Sequence, residues 1–361
     1  MRTILITGAW GLVGFECAKH FLERDWRVVG VDNDMRAHFF GPQASGKTNR
    51  RELQRHPNYK EPFRGSEMDI RDYQAVFDLF HRHRHEDRPD AIIHAAAQPA
   101  HQYGQLNPFE NWEVNVTGTM HLLEAARLVT PESPFVFLSS SKVYGTSING
   151  WPQRETETRY QYDFIAKRGI TEATETDQSF HTQYGASKLA ADILVQEYRQ
   201  SYGIPTVCFR AGCMTGDAHG GVPMHGFLSN LMRTAAANET YVIDGYKGKQ
   251  VRDQLHASDV ARACELVIEK PAVAAPVYVL GGGRANSVSI LEAMDRITGL
   301  LGRDVKHITN PEPREGDQIC VINDTARFER DYGWKANIDL DKIFDELLAA
   351  TTEMGPSKLA S

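Results

Sequence analysis

The tightest constraint on the fold lies in the opening stretch of the chain. Arg2 to Thr7 is a short apolar run of strand type, and Gly8-Ala9-Trp10-Gly11-Leu12-Val13-Gly14 follows it directly. An amphipathic pattern runs from Leu12 to about Asp25, and Val28 to Val31 is a second apolar run ending at Asp32. Glycines at GxxGxxG spacing permit a tight turn and a close approach of backbone to a pyrophosphate. A helix opening behind them offers free N–H groups and the positive end of its dipole to an anion. Asp32, about 20 residues on, places a carboxylate where adenosine ribose hydroxyls bind and where a 2′-phosphate is repelled. Strand, glycines, helix, strand and acid in this order predict a dinucleotide site, with NAD favoured over NADP. Arg36 is the one neighbouring residue that would suit the extra phosphate.

The alternation continues. Ala91 to His94 and Phe135 to Leu138 read as strands, with helical stretches over Tyr73–Arg84 and Glu113–Leu128 before them. Ile204 to Arg210 is a further strand after a helix from Tyr184 to Tyr202. Short apolar strands alternating with helices predict an α/β fold, a Rossmann-type doubly wound parallel sheet. Beyond Arg210 the pattern loosens, and glycine, proline and histidine accumulate between Gly212 and Gly226. We therefore expect a cofactor-binding domain over 1–210, with the chain returning to it at about 255–275. A smaller C-terminal substrate-binding domain is expected over 211–254 and 276–361.

Composition removes several classes of function. The net charge of −7 argues against a general nucleic-acid binder. No run of about 18 apolar residues exists, so no membrane span is expected. The five cysteines are scattered without a CxxC, which suggests neither a disulfide framework nor a zinc site and fits a reducing cytoplasm.

Two clusters carry chemistry. Tyr184 and Lys188 stand at i, i+4 on one helix face. A free tyrosine, with pKa near ~10, is a poor base at neutral pH; nearby positive charge favours the phenolate. Ser139-Ser140-Ser141-Lys142-Val143-Tyr144-Gly145 lies just past a strand's C-terminal end, where open sheets bind ligands. A hydroxyl there can hold a substrate alcohol and relay its proton to Tyr184. The plainer readings are an ordinary helix and a polar turn capped by its own serines.

With Asp69-Ile70, His94-Ala95-Ala96-Ala97, Asn115-Val116-Thr117-Gly118-Thr119 and Val251-Arg252-Asp253, these pieces make nearly the whole chain similar to the extended short-chain dehydrogenase/reductases that act on nucleotide sugars. That resemblance implies an NAD-dependent enzyme with Ser140, Tyr184 and Lys188 as catalytic triad. Around NAD it implies Gly8, Gly11, Leu12, Val13, Gly14, Asp32, Asn33, Asp69, Ile70, Ala95, Ala96, Ala97 and Asn115, joined by Tyr184 and Lys188. Around a nucleoside-diphosphate sugar it implies Gln98, Ser140, Ser141, Cys213, Arg252, Arg314 and Asp317, the arginines on the diphosphate and Asp317 on the ribose. No metal is implied. A homodimer is, through Asn111–Arg127 and Tyr184–Tyr202 of each subunit.

The resemblance also bears on the reaction. The family's 4,6-dehydratases look like carrying an Asp-Glu pair after the catalytic Ser/Thr, and its decarboxylases a Glu; here Ser141 and Lys142 follow Ser140, which disfavours elimination. Epimerisation by hydride removal and return is the simpler cycle. A narrower similarity, to the family's CDP-sugar 2-epimerases, rests on Lys142–Gly145, Glu155–Tyr160, Phe180–Lys188, Gly248–Asp253 and Leu255-His256. It implies inversion at C2. A 4-epimerase with the same triad is the alternative, and a catalytically silent NAD-binding sensor is the alternative of another class. Arg210-Ala211-Gly212-Cys213 departs from the family's R-x-x-N pattern.

Three features are expected to be decoys. Gly41-Pro42-Gln43-Ala44-Ser45-Gly46-Lys47-Thr48 fits a P-loop, but no strand leads into it. His81-Arg82-His83-Arg84-His85 reads as a solvated helix end. His219, His225 and His256 fall in the expected substrate-binding domain, His256 reading as a packed residue of a turn rather than a metal ligand; Glu155 and Glu157 read either as orienting sugar hydroxyls or as capping a loop.

Overall fold

Short strands that are apolar throughout, without alternation, belong where both faces of a sheet are covered. A computed structural model, which describes residues 1–61, 67–82, 88–163, 168–216, 218, 222 and 226–353, places them there. Five strands, β1 (Thr3–Thr7), β2 (Arg27–Val31), β3 (Tyr59–Lys60), β4 (Ala91–His94) and β5 (Phe135–Ser140), join Thr206–Ala211 and Val277–Leu280 in one seven-stranded sheet. The order is Val277–Leu280, Thr206–Ala211, β5, β4, β1, β2, β3, and every pairing is parallel.

Successive side chains serve opposite faces. Leu5, Ile92 and Phe137 pack beneath helices Tyr73–Arg82, Gly118–Val129 and Thr182–Tyr202 through Leu79, Leu122 and Val195. Ile4, Ile93 and Val136 pack on the other side against α1 (Leu12–Leu22) and helix Ala257–Glu269, through Phe21 and Val260. The winding reverses between β1 and β4, and an open sheet of this kind forms its ligand crevice at such a point.

The structure departs from the sequence reading in detail. α1 stops at Leu22, and the chain turns through Asp25 at φ 58°. The helix expected over Glu113–Leu128 is a π turn, Glu113–Thr117, continued by Gly118–Val129. The sequence analysis picks out neither Val277–Leu280 nor β3, the latter two residues long and too short to show a period. Val277–Leu280 joins the large sheet, whereas the sequence groups residue 276 onward with the C-terminal elements.

A second sheet is built around Val251–His256. Ser287–Ser289 pairs with it antiparallel, and Cys320–Val321 and Cys213–Thr215 pair with it parallel. Fully buried Asp253 fastens this sheet: its carboxylate accepts the backbone N–H groups of Gly283 and Asn323 and the Asn323 side-chain amide at 2.9–3.2 Å. Burial, opposed by these bonds, pushes its pKa up to about 6. Helices Phe227–Ala236, Ile290–Leu301 and Leu340–Glu353 share a third core. Among the described residues no helix is long and apolar enough to cross a membrane, and no three His, Cys, Asp or Glu side chains converge as metal ligands.

Candidate active site

Between β1 and α1 the backbone leaves no room for a side chain at Gly8 or at Gly14, in the first turn of α1. Gly8 has φ +69°, and a Cβ there would lie 2.7 Å from the Ala96 nitrogen. A Cβ on Gly14 would lie 2.0 Å from the Gly8 carbonyl oxygen. Gly11 caps α1 with no side-chain acceptor for the first turn and no acid within it, the arrangement that receives an anion. Asp32 accepts the N–H groups of Trp10 (2.9 Å) and Asp34 (2.8 Å), and burial, against these bonds, raises its pKa to about 6. Trp10 is anchored from outside the turn. Its indole N–H reaches the Tyr59 hydroxyl at 3.0 Å, its carbonyl accepts Asn49 at 2.9 Å, and the Arg50 guanidinium stacks 4.4 Å over its ring.

The loop after β4 is held by a buried relay. The Ala96 N–H donates to the Thr7 hydroxyl at 3.2 Å, and that oxygen lies 2.7 Å from His94 Nδ1. His94 Nε2 lies 2.9 Å from the Thr119 hydroxyl, which itself donates to the Asn115 carbonyl at 2.7 Å. Because Thr119 spends its proton on a carbonyl, His94 donates from Nε2, and Nδ1 accepts from Thr7. Burial, with the Lys188 charge as a lesser cause, drives His94 down to about 3.

Ser140 ends β5, and its Oγ accepts the Lys142 N–H at 3.2 Å. Tyr184 and Lys188 lie buried on helix Thr182–Tyr202. Burial raises the phenol's pKa, and a hydrogen bond with Ser140 pulls it down. The Lys188 ammonium donates to the Leu138 carbonyl at 2.7 Å and lies 4.1 Å over the Phe137 ring. Burial lowers it to about 7, with Asp192 opposing. Behind it Asp192 accepts the Ser139 hydroxyl at 2.6 Å and the Arg210 guanidinium at 2.8 and 3.1 Å, so the arginine of the altered R-x-x-N segment is a buried strut. Sequence reasoning missed His101, whose ring stands edge-on to Tyr184 at 5.0 Å with Nδ1 3.1 Å from the Thr182 hydroxyl. A lone histidine in His101–Leu106 gives no motif to find.

A cavity of about 810 Å³ joins these parts to the C-terminal elements. Every residue implied above for the triad, NAD or the sugar nucleotide lines it except two. Gln98 is fully buried, and its amide donates to the Ala100 carbonyl at 3.0 Å, away from the cavity. Asn115 is buried in the π turn, where it brackets Gln98 by accepting its N–H (2.8 Å) and donating to its carbonyl (3.1 Å), and donates to the Ser187 hydroxyl (3.0 Å). Gln98, expected as a substrate ligand, and Asn115, expected as a cofactor ligand, thus lie outside the cavity lining, with Asn115 holding the backbone of Gln98. At the far end Arg252 reaches Asp317 at 2.7 Å, and Arg314 reaches Asp244 at 2.7 Å. Burial pushes the Cys213 thiol up to about 11, so it is protonated at neutral pH.

The P-loop pattern is filled by the chain itself. The Asp34 carboxylate accepts the Gly46 N–H and the Ser45 hydroxyl, both at 2.7 Å, with Lys47 3.7 Å away. An internal anion occupies the place a phosphate would need. His256 caps helix Ala257–Glu269, its Nδ1 accepting the Ser258 N–H. Glu155 is tied to Lys249 at 2.8 Å, and neither it nor Glu157 lines the cavity. His81 is exposed; His83, His85, His219 and His225 lie outside the described residues.

A glycine turn at the switch point of a doubly wound parallel sheet, opening on a cavity that holds Ser140, Tyr184 and Lys188, defines an α/β enzyme that works on a bound dinucleotide. The NAD-dependent epimerase/dehydratase family model matches residues 4–281; the chain belongs to this family, and NAD is its cofactor. Over 352 residues it is 29% identical to CDP-paratose 2-epimerase of Salmonella typhi, covering 95% of this chain and 98% of that one. Over 359 residues it is 27% identical to a dTDP-glucose 4,6-dehydratase of Neisseria meningitidis, covering 92% and 88%. Among solved structures it is similar to UDP-glucuronic acid 4-epimerase of Bacillus cereus in complex with UDP-glucuronic acid and NAD, with TM-score 0.79, 19% identity and coverage of 98% and 100%. The expected fold and the family resemblance are both borne out.

Proposed function

We propose that this enzyme is a nucleotide-sugar epimerase that inverts C2 of a nucleoside-diphosphate hexose. The observation that carries the reading is the Lys142 ammonium, lining the cavity two residues past Ser140 where an eliminating enzyme needs an acid. The similarity to CDP-paratose 2-epimerase supports the choice of C2. The glycine cradle, the uncapped start of α1 and the Asp32 carboxylate fit NAD. Bound there, NAD supplies a reversible two-electron hydride exchange. In this reading Ser140 holds the reacting hydroxyl, and Tyr184 takes its proton on oxidation and returns it on reduction. The Ser140 hydrogen bond favours the phenolate, and so does positive charge on Lys188 when it is protonated. Arg252 and Arg314 grip the diphosphate, and Asp317 takes the ribose. Residues 211–254 and the segment after Val277–Leu280 form the substrate-binding part.

The Ser140, Tyr184 and Lys188 cluster serves a 4-epimerase equally well, and the B. cereus enzyme of that specificity shares the fold. Product analysis separates the two. The enzyme is incubated with NAD and a panel of CDP-, UDP-, GDP- and ADP-hexoses, and products are read by NMR and mass spectrometry. An isomer of unchanged mass inverted at C2 is expected. Inversion at C4 selects the second reading, and loss of water or carbon dioxide refutes both. Tyr184→Phe lowers turnover by ~10²–10⁴-fold while NAD stays bound; a silent sensor would show no turnover to lose. We further place the enzyme in the cytoplasm, on its five unpaired cysteines, and propose a homodimer through the helices that expose Met120, Leu128, Ile193 and Tyr202.

A further inference from the structure

We propose that Lys142 grips the sugar-proximal phosphate of the substrate and ties it rigidly to the reacting centre. The inference rests on the nucleotide-sugar reading above and adds a residue and a task to it. Lys142 serves two places at once. Its backbone N–H donates to the Ser140 hydroxyl oxygen at 3.2 Å, while its ammonium lies 3.8 Å from Asp317 Oδ1 and 3.5 Å from the Gly316 carbonyl. The turn that carries it is fixed from the far side, because the Gln318 amide donates to the Ser141 carbonyl at 3.3 Å and the Gly145 carbonyl at 2.8 Å.

Charge shows what this corner receives. Arg252 reaches the same Asp317 oxygen at 2.7 Å, so two cations share one carboxylate. Arg314, by contrast, has Asp244 at 2.7 Å. The Lys142 side chain is 17% exposed and lines the cavity, so its charge is largely stripped of water. Burial lowers its pKa to about 8, with Asp317 and Cys213 opposing and Arg252 and Arg314 reinforcing the fall. A phosphate arriving between Lys142 and Arg252 supplies the second anion that the pair lacks. Of the three cations at this end, Lys142 alone is joined to Ser140 through a two-residue turn. The phosphate it holds is therefore the one next to the sugar.

This placement suits the chemistry. An epimerase must present the opposite face of the oxidised sugar without losing the nucleotide. A phosphate pinned at a fixed distance from Ser140 is a pivot about which the sugar turns.

The test compares nucleoside diphosphates with monophosphates. Calorimetry on the NAD-loaded enzyme measures CDP, UDP, CMP and UMP binding to wild type, Lys142→Met and Lys142→Arg. Lys142→Met is expected to weaken CDP or UDP by about 10-fold or more, to leave CMP and UMP within about 2-fold, and to leave NAD affinity unchanged, which also shows that the variant folds. Lys142→Arg recovers part of the loss. Wild-type diphosphate affinity falls above pH 8, and the Met variant shows no such fall. Equal loss of mono- and diphosphate, or unchanged diphosphate affinity with a raised KM for the sugar nucleotide, overturns the assignment. Should wild type bind neither CDP nor UDP, nor GDP or ADP, the nucleotide-sugar reading itself falls and takes this one with it.

Discussion

Acid should loosen this protein at one identifiable place. His94 is 1% exposed, neutral, and wired between Thr7 and Thr119. In the unfolded chain it takes up a proton at its ordinary pKa of 6.5; in the fold it does so only at about 3. Between these values the unfolded state binds one more proton than the native state. The stability His94 contributes is therefore fully present above pH 6.5 and drains away as pH falls towards 3. The slope for one proton is ~1.4 kcal/mol per pH unit, which gives up to about 5 kcal/mol over the whole interval and ~2–3 kcal/mol between pH 6.5 and 4.5. His94→Phe removes the titration while keeping a ring against Phe137, 5.4 Å away. The variant also takes one hydrogen-bond partner from each of the Thr7 and Thr119 hydroxyls, so it starts ~1–3 kcal/mol less stable at pH 7. Urea unfolding followed by circular dichroism at half-unit pH steps gives both curves. Other titrating groups are common to the two proteins and cancel in the difference. Wild type should lose stability more steeply, by one proton's slope, and the curves should converge with acid. Parallel curves would refute the reasoning, because a histidine that titrates normally in the fold contributes no such slope.

Arg252→Ala should weaken nucleotide-sugar binding far more than NAD binding, measured by calorimetry on the same preparation; equal loss of both would show that the arginine supports the fold rather than the substrate. Lys47→Ala should leave turnover unchanged and stability within ~0.5 kcal/mol by urea titration, since Asp34 already fills the P-loop pattern. An ATPase activity that this substitution abolished would overturn that reading.

The N-terminal unit was readable because its signals are local. Glycine spacing, helical period and a terminal acid all fall between Thr3 and Asp32. The candidate Ser140, Tyr184 and Lys188 were readable for the same reason, each standing in a short run of characteristic spacing. What escaped depends on direction or on distant partners. Ala97 and Gln98 are neighbours, yet one lines the cavity and the other is turned into the core by Asn115, which a π turn aims inward. His101 matters only because helix Thr182–Tyr202 brings Tyr184 against it. The sharing of Asp317 by Lys142 and Arg252 joins three remote segments and leaves no trace in any one of them. β3 is two residues long and exists because β2 offers an edge to pair with.

The anchoring of Trp10 has a consequence for how such a protein can be rebuilt. The connection between β2 and β3 has the look of ornament, the sort of surface excursion that is swapped between relatives to alter specificity. Here Asn49 and Arg50 from it, with Tyr59 of β3 at its end, reach back to hold the middle of the glycine turn. A graft that exchanged this segment alone would release the indole and unsettle a cofactor turn whose own residues had not been touched. The segment and Trp10 form a single inheritable part, to be transplanted together or left alone.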